Sequence, residues 1–145
     1  KLRSYFTIYK PSVYNQIMKV LGIDPGTGKV GWGIVSHEKG IDSLIEYGCF
    51  ETTIKSELPE RLQKIYIFLK DLIKKYQPDV LAVESLFFAT NVKTAFDVGA
   101  AKGVILLAGQ ESKLPIFLLA SSEIRQHVHL KFHHAPMDLG QNSGK

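Results

Sequence analysis

Two carboxylates occupy equivalent places in this chain. Asp24 ends the apolar run Val20-Leu21-Gly22-Ile23, and Glu84 ends Val80-Leu81-Ala82-Val83. An acid at the mouth of an apolar strand is in a costly position unless it is paired or bound to a cation. Oxygen ligands of this kind suit Mg²⁺, which takes a few carboxylates together with waters and a phosphate. Two such ions about 4 Å apart would activate a water and stabilise the leaving oxygen of a phosphodiester. The plainer readings are a turn-forming Asp-Pro-Gly at Asp24 and a strand-end acid capping the next helix at Glu84.

The segment around Asp24, KVLGIDPGTGKVGWGIV, also contains two phosphate-binding patterns. A Walker loop requires a Gly five residues before its Gly-Lys pair and a Ser or Thr after it, but Ile23 and Val30 stand there. The G-x-G-x-x-G of Gly26, Gly28 and Gly31 would have to open a helix, so that the helix N-terminus faced a pyrophosphate. Gly31-Trp32-Gly33-Ile34-Val35 is instead β-type sequence. A hairpin remains, with Pro25 fixing the backbone and Gly26 and Gly28 permitting a tight turn.

The elements that must position these acids follow from periodicity. Strands are predicted over 18–24, 30–36 and 43–52. Leu62, Ile65, Tyr66, Leu69, Leu72, Ile73 and Tyr76 then fall at helical spacing, with Pro59 in the first turn and Pro78 just past the end. Residues 79–84 form a short apolar strand of the kind buried within a sheet. A second helix spans about Asn91 to Gln110, a strand covers 115–119, and a third helix starts at Ser121 or Ser122. The order β-β-β-α-β-α-β-α predicts an α/β fold with a mixed five-stranded sheet and helices on both faces. In that topology the strand after the first helix lies beside the first strand and parallel to it, which brings Asp24 and Glu84 to one sheet edge.

The 145 residues fit one domain. The net charge of +4 resides at the ends: residues 1–17 carry three bases and no acid, residues 127–145 two bases and one acid, and residues 18–126 balance at 13 against 13. Bulk charge is therefore poor support for a nucleic-acid partner. The single Cys49 excludes an internal disulfide and fits a reducing, cytoplasmic compartment. No apolar run approaches the ~20 residues of a membrane span. Residues 1–17 are expected to be an upstream extension outside the fold, with a start at Met18; a basic DNA-binding arm is the sharper alternative.

The motifs GIDPGTGKVGWG, LPERL, QPDVLAVESLFFATNVKTAFDVGAAKGV and LPIF resemble, in order and spacing, the RuvC-type Holliday junction resolvases over about residues 18–126. The resemblance implies a ribonuclease H-like fold, a homodimer, junction branch-migration proteins as partners, and Mg²⁺-dependent paired nicks in four-way DNA junctions. Asp24 and Glu84 match the first two acids of a two-ion metal site. Phe87 matches an aromatic that stacks on a base near the crossover, an interaction worth ~1–3 kcal/mol; Phe87 or Phe88 as core is the alternative. Ala95, Gly99 and Gly103 form a smooth stripe suited either to the sheet or to a second subunit.

After Gln126 the family pattern is lost. The family continues to a D-A-A-D-A-like segment carrying further metal-site acids, whereas this chain reads HVHLKFHHAPMDLGQNSGK. Asp138, between Pro136 and Gly140, is not a substitute, and His127, His129, His133 and His134 lack the frame of a zinc site. A frameshift or truncated frame would produce such an off-family tail over 127–145. The sequence thus reads as a junction endonuclease domain that, as written, is expected not to cut DNA. A non-catalytic junction-binding remnant is the main rival. An actin-like nucleotide-binding module, which also uses an Asp-x-Gly hairpin, would need a second half that this length cannot hold.

Overall fold

A computed structural model of the chain describes residues 17–53, 55–85 and 92–120. The strands are β1 (Met18–Asp24), β2 (Lys29–Glu38), β3 (Ile41–Glu51), β4 (Val80–Ser85) and β5 (Ile116–Ala120). The helices are α1 (Leu58–Tyr76), between β3 and β4, and α2 (Val92–Glu111), between β4 and β5. The sheet order is β3-β2-β1-β4-β5, antiparallel on the β1–β2–β3 side and parallel for β1–β4 and β4–β5. This is the predicted mixed sheet, with β1 between the hairpin half and the crossover half.

Side-chain alternation gives the sheet one apolar face. Leu21 and Ile23 of β1 stand beside Ile34 and Trp32 of β2 and beside Leu81 and Val83 of β4. Both helices pack there. Ile65, Leu69 and Leu72 of α1 and Ala101, Ile105 and Ala108 of α2 join those strand residues in one buried cluster. Phe68 of α1 stacks on Phe50 with ring centroids 4.2 Å apart and meets Trp32 edge-on at 6.1 Å. Trp32 lies flat against Gly48, where a Cβ would come within 2.9 Å of its ring nitrogen. On α2, a Cβ at Gly109 would strike Leu81 at 2.5 Å, so the helix meets β4 backbone-close. The two described helices thus share one face; the third predicted helix, from Ser121, lies outside the described residues.

The register of the central pair is pinned at its entry. Lys19 donates its backbone N–H to the Asp79 carboxylate at 2.8 Å, and the Asp79 N–H donates to the Lys19 carbonyl at 2.8 Å. A slip of one residue would move every side chain of a strand to the other face. Helix α1 begins with Pro in its first turn and ends at Gln77, which takes a left-handed conformation (φ 49°) and returns its N–H to the Ile73 carbonyl. β2 and β3 meet in a two-residue turn with positive φ at both Lys39 (50°) and Gly40 (83°), the handedness that matches strand twist. Among the described residues, no helix is long and apolar enough to cross a membrane.

The division between the two sides of α1 can be tested directly. Leu69 is 1% exposed and Ile67 is 51% exposed. Leu69→Ala should cost about 2–5 kcal/mol in urea unfolding, whereas Ile67→Ala should fall within about 0.5 kcal/mol of the parent.

Candidate metal and nucleic-acid site

Asp24 and Glu84 are brought together as the parallel pairing requires. Ile23 pairs with Val83, so the acids are the next residue on each strand and share the face opposite the helices. Their carboxyl groups are close enough to hydrogen-bond when one carries a proton. Asp24 is exposed by surface area and Glu84 half-buried. Even so, the Asp24 carboxyl loses enough surrounding water to raise its pKa above the ordinary Asp value, and the neighbouring Glu84 charge adds to the rise.

The surface beside the pair carries little side-chain bulk. Asp24 faces Gly31 across β1–β2, and a Cβ at Gly31 would sit 3.3 Å from the Asp24 Cβ and 3.7 Å from its Oδ2. Gly22 and Gly33 pair next along the same face. This glycine strip leaves the acids approachable by something broad and flat. Further out, the face carries Val35, Leu44 and Tyr47, all exposed, with Tyr47 73% exposed.

The donor set fits a hard divalent cation. Two adjacent carboxylates supply anionic oxygens, and a cation between them would relieve their mutual repulsion. Among the described residues, no third His, Cys, Asp or Glu joins them in a cluster. Phe87, Phe88, Asp138 and the histidines 127, 129, 133 and 134 lie outside the described residues.

The turn after Asp24 is held by groups that sequence patterning did not single out. Thr27 and Thr52 are buried. The Thr52 hydroxyl donates to the Thr27 carbonyl, its backbone N–H donates to the Gly28 carbonyl at 2.9 Å, and Arg61 reaches both threonines from α1. On the far side of Glu84, Lys102 of α2 donates to the Ser85 hydroxyl at 3.0 Å and so ties the end of β4 to the helix layer. These contacts run largely to backbone oxygens, which leave no mark in a sequence.

Residues 20–131 match the family described as crossover junction endodeoxyribonuclease RuvC. Over 111 residues the chain is 44% identical to the crossover junction endodeoxyribonuclease RuvC of Petrotoga mobilis and 42% identical to that of Chloroflexus aggregans, in each case covering 77% of this chain and 68% of the relative. The fold superposes on T. thermophilus RuvC, solved in complex with a Holliday junction substrate, with a TM-score of 0.70 and 27% identity over 79% of this chain and 72% of that one.

The raised Asp24 pKa sets a sign for stability. A carboxyl whose folded pKa lies above its unfolded value favours the fold while protonated, and that contribution is lost as pH rises through the folded pKa. In metal-free buffer, Asp24→Asn should therefore melt higher than the parent at neutral pH. The gap should close as pH falls below the ordinary Asp range. Thermal melts of both proteins across that span check it.

Proposed function

The chain belongs to the RuvC family of crossover junction endodeoxyribonucleases, and on that premise we propose that Asp24 and Glu84 are the metal-holding carboxylates of a nuclease that resolves Holliday junctions. The observation that carries this reading is the side-by-side placement of the two acids at the ends of β1 and β4, on a face free of described helices. Residues 18–126 are read as the nuclease domain.

Mg²⁺ is the cation this donor set suits, being small, hard and reluctant to shed all its waters. Bound there, a divalent ion would activate water and stabilise the departing oxygen of a phosphodiester. The chain's own residues do the rest. Asp24 and Glu84 supply the oxygen ligands, and the paired strands hold them side by side. Gly22, Gly31 and Gly33 clear the floor for a sugar-phosphate backbone. Phe87, three residues past Glu84, is proposed to stack on a base, which tolerates any sequence.

A second copy of the chain is proposed to dock on α2. Phe96, Gly99, Gly103 and Leu107 are exposed on that helix at spacings of three and four; Phe96 is 75% exposed, and a Cβ at Gly99 or Gly103 would meet nothing within 4 Å. Such a stripe permits close helix approach, and two copies would offer one acid pair to each of two strands.

The catalytic assignment predicts that, in a version of the protein extended to carry the family's further metal-site acids, Asp24→Asn and Glu84→Gln each reduce Mg²⁺-dependent nicking of a four-way junction to background, while junction binding in EDTA stays close to the parent's. Retained nicking by Asp24→Asn contradicts it. An extended parent that binds junctions but never nicks them, with Mg²⁺ or Mn²⁺, supports the non-catalytic reading instead. For the dimer, Gly103→Glu should yield monomers in sedimentation velocity without loss of melting temperature, because replacing Gly within a helix gains up to about 1 kcal/mol in propensity.

A further inference from the structure

The turn that carries the chain away from Asp24 is gripped from two elements at once. Arg61, in the first turn of α1, donates its Nε–H to the Thr27 carbonyl at 3.2 Å and to the Thr52 hydroxyl at 3.1 Å. The Thr52 hydroxyl donates to that same Thr27 carbonyl. Both lone pairs of one carbonyl oxygen, three residues past Asp24, are thereby engaged by groups from the end of β3 and the start of α1. The guanidinium lies alongside Gly28, where a Cβ would make ordinary contact with Nη2 at 3.5 Å. The turn has little freedom of its own, since a Cβ at Gly26 would fall 2.4 Å from the Lys29 carbonyl oxygen.

Arg61 approaches from the helix side of the sheet, while Asp24 faces the opposite side. Its influence on the acid therefore passes through the backbone of residues 25–28. We propose that Arg61 is a positioning residue for the acid pair, holding the turn so that the Asp24 carboxylate stays directed at the place Glu84 faces. The inference rests on the reading of Asp24 and Glu84 as the metal site. Lysine cannot replace the guanidinium here, because the inward Nε–H lies at a fixed point on a planar fork that an ammonium lacks.

The sign of one measurement separates positioning from charge. On charge alone, removing a cation near two carboxylates would tighten metal binding. Loss of an orienting group would weaken it, typically by tenfold or more. Mn²⁺ binding to the full chain, followed by electron paramagnetic resonance below the melting temperature of each variant, gives the readout without any need for cleavage. Arg61→Ala and Arg61→Lys should each weaken Mn²⁺ affinity by about tenfold. Should Arg61→Ala melt too low for titration, Thr52→Val, which removes an acceptor and no charge, should weaken it in the same direction. Arg61→Ala affinity equal to or tighter than the parent's, or full recovery in Arg61→Lys, overturns the proposal while leaving the metal site standing. Asp24→Asn binding Mn²⁺ as well as the parent, or a parent that binds none, overturns the metal-site reading and this inference together.

Discussion

Parallel pairing of β1 with β4 forces two like charges into one small space, and the rest of the fold can be read as the means of keeping them there. Loss of surrounding water at Asp24, and then the neighbouring Glu84 charge, both raise the Asp24 pKa and so disfavour its ionised form. The offset comes from elsewhere: a cluster of aliphatic side chains spanning both helices and the central strands, several of them wholly buried.

The two faces of the sheet divide the labour. On one, Trp32, Phe50, Phe68 and the leucines and isoleucines of α1 and α2 make a packed layer that fixes the strands. On the other, glycines and acids alternate with little bulk around Asp24, so the surface beside the acid pair contributes little hydrophobic stabilisation of its own. The Lys19–Asp79 backbone and carboxylate contacts set the register at one end of the central pair, and the acids emerge in step at the other. That coupling explains why apolar strands, and not loops, carry Asp24 and Glu84: a loop could present the same charges without fixing their separation.

Much of this was legible in the amino-acid sequence because it depends on period and punctuation. The apolar positions of α1 from Leu62 to Tyr76, Pro59 before them and Pro78 after them mark that helix, and Val20–Ile23 and Val80–Val83 mark strands ending in acids. The hairpin joining β2 to β3 was not marked: Lys39 adopts a left-handed conformation that Asn or Asp would have advertised, so both strands run further toward the turn than their composition suggests. Arg61 was equally hidden. Within LPERL it reads as an ordinary charge on a helix face, and its acceptors are a carbonyl oxygen and a hydroxyl distant in sequence.

The account stands on a divalent cation shared by Asp24 and Glu84. The most direct test is an anomalous-scattering map from crystals of the chain soaked in Mn²⁺. A cation shared by the two acids predicts a peak within carboxylate coordination distance of both side chains. A map with no peak between them, or with its strongest peak elsewhere on residues 17–120, would contradict it.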